Sequence, residues 1–192
     1  MPRTASDRNH AAMVRIIVVR HCESEANRGG PEMGGANSPL SARGRAQALT
    51  VSEAIAGLGL VAPLLLSSPL DRAADTARAI DQALGVGVVF DPRLSAGETV
   101  MARDLALTAP TTVLAVGAEI LQALAERLDG GAETLVAVGH RYTIWALLTV
   151  LLGDIETAKA VHLANGDHLD FILENGALVA APTHHRLAPL AA

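Results

Sequence analysis

Histidine and arginine side chains stand where buried strands of this chain are predicted to end. Arg20 and His21 follow the β-branched run of residues 14–19, and His140 follows the apolar run of residues 135–138. Ligands of open α/β sheets bind beyond the carboxyl ends of the strands. A guanidinium group binds oxyanions, and a neutral imidazole nitrogen is a nucleophile. The spacing therefore predicts an anion-binding site at this edge, with a solvated strand end as the alternative for Arg20 and His21.

A third strand end adds another arginine. Residues 60–66 form an apolar run that leads into Ser67-Ser68-Pro69, and this sequence favours a helix that begins at Leu70. Arg72 then lies in the first turn of the helix, near the strand end. Arginines and histidines without a carboxylate cage suit a phosphoryl group, whose transferring charge they stabilise. A neutral histidine nitrogen can also attack phosphorus in line and form a phosphohistidine that water hydrolyses.

The hydrophobic pattern predicts the elements that position these residues. Strands are expected at 14–19, 60–66, 86–90, 135–138, 168–173 and 177–181, the last two joined by a turn at 174–176, and helices at 43–58, 70–84, 113–128 and 142–152. Strands that alternate with helices predict an α/β fold, a three-layer αβα sandwich with a mostly parallel central sheet, to which the late hairpin adds an antiparallel edge. Residues 1–13 are expected to form a disordered or loosely attached extension, and residues 14–192 a single domain.

Composition narrows the classes of partner. Aromatic residues make up only 2% of the chain and its net charge is −5, so we expect no nucleic-acid partner. The single cysteine, Cys22, excludes an internal disulfide, and no His/Cys cluster has zinc-ligand spacing, so we expect a cytoplasmic protein without a metal or cofactor. Residues 1–13 lack a signal-peptide core, and the apolar run at 144–152 is far shorter than the ~20 residues that span a bilayer. We therefore expect no membrane partner; the oligomeric state stays open, a homodimer included.

Five short segments, in chain order, carry motifs of one known family. Residues 20–27 are similar to an Arg-His-Gly-Glu signature, 39–48 to Pro-Leu-Thr-x-x-Gly-x-x-Gln-Ala, 67–77 to Ser-x-x-x-Arg-Ala-x-x-Thr-Ala, 138–140 to a second-histidine motif and 165–166 to a late Asn-Gly turn. In this combination the chain resembles the histidine phosphatase superfamily, also called the phosphoglycerate-mutase-like family. The resemblance implies the phosphoglycerate-mutase-like fold and a metal-independent phosphatase that hydrolyses a small-molecule phosphomonoester.

The resemblance also implies roles for individual residues. His21 would be the nucleophile that becomes phosphohistidine, and Arg20, Arg72 and His140 would bind the phosphoryl group and stabilise its charge. Asn27 would lie at the wall of the pocket.

Three further residues near these positions are left with more than one role. Glu23 either orients the local backbone, fixes the tautomer of His21 indirectly, or touches substrate. Ser24 and Arg141 are candidate substrate contacts, with solvent-facing helix-cap roles as the alternative. Of the remaining histidines, His168 is placed at the rim of the pocket, and the His184-His185 pair is expected to lack partners.

Two positions depart from the family pattern. Cys22 stands where the family has glycine, and a buried small hydrophobe is the preferred interpretation over a reactive thiol. Ala96 stands where phosphatases of the family carry the glutamate that protonates the leaving oxygen. Glu98, on the same glycine-containing loop, is the candidate general acid, with a solvated loop carboxylate as the alternative and Asp104 as a weaker candidate.

The missing glutamate keeps other functions open. A phosphomutase would return the phosphoryl group to another hydroxyl, although the chain lacks the long insertions with which glycolytic mutases of the family enclose substrate. Short family members that dephosphorylate protein histidines also lack the usual acid segment, so a protein phosphohistidine phosphatase is a further alternative. A catalytically weak phosphate-ester-binding protein of the same fold is the third, although a pure binder has no special need of the retained nucleophile.

Overall fold

Seven strands, six α-helices and a short 3-10 helix (Pro92–Ser95) form the described part of the chain, which in this computed structural model comprises residues 13–29, 37–95, 109–128 and 132–189. The strands are β1 (Met13–Arg20), β2 (Leu64–Ser67), β3 (Val88–Phe90), β4 (Thr134–Gly139), β5 (His168–Glu174), β6 (Ala177–Leu178) and β7 (Thr183–His185). The helices are α1 (Glu25–Gly29), α2 (Ala42–Ala56), α3 (Asp71–Leu84), α4 (Pro110–Leu128), α5 (Arg141–Leu152) and α6 (Ile155–Ala160). None of the helices in these ranges has the length and apolarity needed to cross a membrane.

The strands form one mixed sheet in the order β3-β2-β4-β1-β5-β6, with β7 also paired to β5. Strands β3, β2, β4 and β1 run parallel, whereas β5 runs antiparallel to β1. The predicted α/β sandwich with a mostly parallel sheet and an antiparallel edge is therefore confirmed. Because β2, β4 and β1 are neighbours, the residues that follow them meet at one edge of the sheet.

Strand β1 is buried on both faces and divides the core in two. Ile16 and Val18 pack with the cluster that includes residues of α4 and α5, while Ile17 and Val19 pack with the cluster that includes residues of α2 and α3. Side chains that alternate along a strand point to opposite faces of the sheet, which explains the division. Helices thus cover both faces and form the outer layers of the sandwich.

Several boundaries differ from the sequence prediction. Strand β2 begins only at Leu64, and the predicted extension reaches one residue too far, because Met13 already belongs to β1 and pairs with Glu174. The hairpin turn is confirmed: Asn175 and Gly176 take φ values of 51° and 81°, as a tight two-residue turn requires. Helices α1 and α6 and strand β7 were not predicted, because all three are too short to produce a clear hydrophobic period. Residues 1–12 lie outside the described ranges.

The start of α2 is fixed against the segment that follows β1. Ser41 is the N-cap, and its Oγ accepts a hydrogen bond from the backbone N–H of Gly44 at 2.9 Å. Gly44 itself faces the backbone of Glu23: an added Cβ would fall within the van der Waals radius of the Glu23 carbonyl oxygen. A glycine here lets the helix approach a backbone that lies two residues after His21.

Replacing Gly44 by alanine should displace that backbone. We expect Gly44→Ala to lower the free energy of unfolding by about 1–3 kcal/mol, as overpacking of a close contact does, and to lower activity as well. Gly57→Ala, at the other end of the same helix, is the matched control, since its Cβ would lie 3.3 Å from the nearest atom, the Glu53 carbonyl oxygen. Urea unfolding measures both variants; equal stability of the two would contradict the proposed close packing.

Candidate active site

Two histidines and two arginines converge at the carboxyl edge of the parallel strands. The Nε–H of Arg72, at the start of α3, donates to Nε2 of His21 at 3.3 Å. The imidazole centroids of His21 and His140 are 5.1 Å apart. Arg20 closes the pocket on the side of β5, where its Nη1 donates to the Leu163 carbonyl. The structure therefore brings together four of the residues selected from the sequence.

Hydrogen bonds determine which tautomer His21 adopts. A guanidinium nitrogen can only donate, so Nε2 of His21 must accept from Arg72 and cannot carry a proton. The proton then lies on Nδ1, which donates to the Cys22 carbonyl oxygen at 2.7 Å. The unprotonated Nε2 is the nitrogen on the side of Arg72. It is thus the ring atom that could act as a nucleophile.

Burial and neighbouring cations keep both imidazoles neutral. Burial, then the charge of Arg72 and that of Arg20, lowers the pKa of His21 to about 3 against the pull of its hydrogen bond to Cys22. The pKa of His140 is also lowered well below its usual range, by burial, by His21 and by both arginines. Near neutral pH the site therefore holds two neutral imidazoles beside two permanent positive charges. An anion is the complementary ligand.

His140 is held by both its backbone and its ring. Its backbone N–H donates to Oγ1 of Thr143, which fixes the residue as the N-cap of α5. Its Nε2 lies 2.9 Å from Oγ of Ser68, a buried residue at the end of β2. Ser68 belongs to a motif found in the sequence, but no role was predicted for it. It connects two of the three strand ends that form the pocket.

The backbone after His21 is held by two side chains, those of Thr76 and Gln47, to which the sequence assigned no role. The N–H of Cys22 donates to Oγ1 of Thr76 at 3.1 Å, and the N–H of Glu23 donates to Oε1 of Gln47 at 2.8 Å. The carboxylate of Glu23 accepts from Oγ of Ser41 at 2.7 Å. Glu23 thus orients the local backbone, one of its predicted roles. Thr76 and Gln47 lie within the motifs recognised in the sequence, and this position was the signal that could have identified them as residues of the site.

Cys22 is buried between the sheet and α2. Its side chain is fully buried in the cluster that includes Val51 and Ile55. Burial raises the pKa of the thiol to about 12, against a smaller opposing effect of Thr76. The thiol therefore remains protonated and unreactive near neutral pH, in keeping with a small hydrophobe in place of glycine.

Asn27 lies beside the pocket and is tied to two other residues. Its Oδ1 accepts from the backbone N–H and Oγ of Ser24, both at 3.1 Å, and from Nδ2 of Asn165 at 3.2 Å. Asn165 also donates to the His21 carbonyl at 3.0 Å. Ser24 is fully buried with its hydroxyl committed to Asn27, so the geometry favours a positioning role over the predicted substrate contact. Asn165 was known only as part of a turn motif.

The later histidines differ from expectation. His168 is not at the rim of the pocket: it is buried within β5 and stacks on His185 with ring centroids 4.7 Å apart. The prediction that His184 and His185 lack partners was also wrong, since Nε2 of His184 lies 2.9 Å from the carboxylate of Asp167. The pairing of β7 with β5, which the sequence did not reveal, brings these residues together.

The candidate general acid is not part of this geometry. Glu98, Ala96 and Asp104 lie outside the described residues, so their predicted roles stay predictions.

Within the described ranges, no group of three or more His, Cys, Asp or Glu side chains is arranged to hold a metal ion. Arg141 lies at the start of α5, next to His140, and borders a neighbouring cavity rather than contacting the imidazoles.

The lowered histidine pKa values make stability depend on pH. Below about pH 6.5 the unfolded chain takes up protons that buried His21, His140 and His168 do not. The free energy of unfolding should therefore fall as pH falls from about 6.5 to about 4, where His168 itself begins to protonate. His168→Phe keeps a ring on His185 and removes one titrating group, so the slope should decrease by about one third. Urea unfolding at several pH values measures the slope; an unchanged slope would contradict a neutral, buried His168.

The sheet topology and the covering helices define a phosphoglycerate-mutase-like α/β fold. The family model of the histidine phosphatase superfamily (branch 1) matches residues 16–97, which contain most of β1 and all of β2 and α3, with His21 and Arg72. The match covers 82 of the 192 residues, which is less than half of the chain.

Curated proteins and solved structures are similar to part or most of the chain. The probable phosphoglycerate mutase GpmB of Salmonella arizonae is 39% identical over 82 residues, which are 43% of this chain and 37% of that protein. The matched segment thus spans little more than a third of the curated relative. The mycobacterial glucosyl-3-phosphoglycerate phosphatase, solved with VO3, is 25% identical with a TM-score of 0.66, over 82% of this chain and 90% of its own. The Entamoeba histolytica phosphoserine phosphatase, at 22% identity and a TM-score of 0.67 over 87% and 95% of the two chains, shares the fold.

Proposed function

We propose that the protein is a metal-independent phosphatase that hydrolyses a small-molecule phosphomonoester through a phosphohistidine on His21. The observation that carries the proposal is the hydrogen bond from Arg72 Nε to His21 Nε2, since it fixes a neutral imidazole with an unprotonated nitrogen beside two arginines. The names of the structural neighbours, which are phosphatases, support the same class of reaction. Water, rather than a second hydroxyl, is the proposed final acceptor.

In the proposed first step the phosphoryl oxygens take over the guanidinium groups of Arg72 and Arg20. Nε2 of His21 is then released from Arg72 and attacks phosphorus in line, while the bond from phosphorus to the leaving oxygen breaks. The proton stays on Nδ1, and its hydrogen bond to the Cys22 carbonyl oxygen stabilises the phosphorylated ring. Neutral His140 donates a hydrogen bond to the phosphoryl group, with its ring oriented by Ser68.

In the proposed second step water attacks the phosphohistidine. The phosphorus–nitrogen bond breaks, one proton of the water passes to the carboxylate of the proposed general acid Glu98, inorganic phosphate leaves, and His21 returns to its neutral form. The arginines bind the charge in both steps and need no change of protonation, because guanidinium stays charged throughout. Asn27 lies at the wall of the pocket, where it holds the segment after His21 in place through Ser24 and Asn165.

The phosphoenzyme is the direct test of the reaction type. Brief incubation with substrate followed by rapid denaturation should trap a phosphoprotein that is stable in alkali and labile in acid. His21→Ala should abolish it, and His21→Asn, which retains a donor near the Cys22 carbonyl, should abolish it without loss of fold. His185→Ala, which removes a histidine outside the pocket, is the control and should still form the adduct. Hydrolysis of p-nitrophenyl phosphate that survives His21→Ala in the presence of a chelator would exclude the mechanism.

Glu98 is the proposed proton donor for the leaving oxygen. Alkyl alcohols are poor leaving groups and need a general acid, whereas p-nitrophenolate leaves without one. We expect Glu98→Gln to slow the hydrolysis of alkyl phosphates about a hundredfold or more, and of p-nitrophenyl phosphate only slightly. Glu119→Gln, at an exposed position of α4, should slow neither substrate. An equal loss for both substrates in Glu98→Gln would argue against an acid role.

A further inference from the structure

The loop of residues 163–167, which leads into β5, holds Arg20 by its side chain and by its backbone. The carbonyl of Leu163 accepts a hydrogen bond from Nη1 of Arg20. The Arg20 N–H donates to the Asp167 carbonyl at 3.0 Å, and the Arg20 carbonyl accepts from the N–H of Gly166 at 3.1 Å. The conformation of this loop therefore sets the position of the guanidinium group.

One buried carboxylate closes the loop. Oδ2 of Asp167 accepts from the backbone N–H of Ala164 at 2.9 Å, and the Asp167 N–H donates back to the Ala164 carbonyl at 3.1 Å. Asp167 is only 3% exposed, so water competes little for these bonds. An ionised acceptor also gives a stronger hydrogen bond than a neutral one. The side chain of Asp167 thus fixes the turn that presents the Leu163 carbonyl to Arg20.

The same carboxylate ties the loop to β7 and the residues after it. Oδ1 of Asp167 accepts from the backbone N–H of Leu187 at 2.9 Å, and Oδ2 lies 2.9 Å from Nε2 of His184. Because an ionised carboxylate only accepts, Nε2 of His184 carries the proton and donates it. The side chain of Leu187 packs against the core cluster that includes Cys22. Asp167 therefore connects a well-packed segment to the loop that holds Arg20.

We propose that Asp167 is a positioning residue of the active site, which acts on the phosphoryl group through Arg20. The inference rests on the proposed function for the role of Arg20. Both carboxylate oxygens are occupied by donors of the protein, so Asp167 contacts no substrate. A side chain without these acceptors leaves the donors unbonded, and the loop relaxes and displaces the guanidinium group. A displacement of about 1 Å can cost about a hundredfold in rate.

Substitutions at two positions grade the effect. Asp167→Ala removes both acceptors and should lower kcat/KM for p-nitrophenyl phosphate about tenfold or more. Asp167→Asn keeps one acceptor oxygen, but its amide nitrogen must face at least one N–H, so its loss should be smaller than that of alanine. His184→Gln can place an N–H near the position of Nε2 and should retain most of the activity, whereas His184→Leu should lose severalfold.

Asp170 provides the matched control. It lies on the same strand, its carboxylate is also largely buried, and it accepts two hydrogen bonds from Arg15, toward the start of β1 and away from the pocket. Asp170→Asn should lower the free energy of unfolding and leave kcat/KM unchanged. Urea unfolding of both aspartate variants separates a loss of stability from a loss of positioning.

A double-mutant cycle with Arg20→Gln tests whether the effect passes through Arg20. Asp167→Ala should weaken the binding of inorganic phosphate severalfold in the otherwise unchanged chain, but should add little in Arg20→Gln, because the group that it positions is gone. Isothermal titration calorimetry with inorganic phosphate measures all four proteins and needs no turnover. If Asp167→Ala does not fold, Asp167→Asn takes its place in the cycle.

The outcomes distinguish this inference from the proposed function. Equal losses of phosphate affinity with and without Arg20 would overturn the positioning role, and so would full activity of a folded Asp167→Ala. A loss that depends on Arg20, in a protein that forms no phosphoenzyme, would support the positioning role and overturn the proposed phosphatase. Equal losses of kcat/KM in Asp167→Ala and Asp170→Asn, in a protein that does form the phosphoenzyme, would overturn only the positioning role.

Discussion

The hydrogen bond from Arg72 to Nε2 of His21 is the interaction on which the site depends. The Nε–H of Arg72 meets a neutral ring, 3.3 Å from nitrogen to nitrogen. The contact holds the lone pair of Nε2 at the position where an oxyanion would bind. Burial, together with the charge of Arg72, lowers the pKa of His21, so that the lone pair stays available. A bound phosphoryl group would replace that contact with a stronger, charge-assisted one.

The order of the strands in the sheet makes this contact between Arg72 and His21 possible. Strand β4 lies between β1 and β2, so His140 stands between the segments that carry His21 and Arg72. Close backbone approach supports the arrangement, since α2 can reach the segment after β1 only because residue 44 is glycine. Buried polar groups such as Thr76 take the hydrogen bonds that this segment would otherwise lack. Burying histidines and arginines costs free energy. These hydrogen bonds and the close packing offset part of that cost and leave a pocket arranged to bind an anion.

Local patterns were enough to predict the larger elements and the four residues of the pocket. Strand ends are visible in sequence because β-branched runs stop abruptly before polar residues, and motif order connected His21, Arg72 and His140. Contacts between segments that are distant in the sequence could not be predicted from these patterns. The pairing of β7 with β5, which places His184 on Asp167, depends on a three-residue strand without a hydrophobic period. The cavity beside Arg141 was likewise hidden, since three separate segments form it.

The stereochemical course at phosphorus tests the central claim most directly. Attack by His21 inverts the configuration once, and attack by water on the phosphohistidine inverts it again. Hydrolysis of a phosphorothioate ester made chiral at phosphorus with oxygen isotopes should therefore give inorganic thiophosphate with overall retention. Overall inversion would show that water attacks the substrate directly, and it would contradict a covalent role for His21.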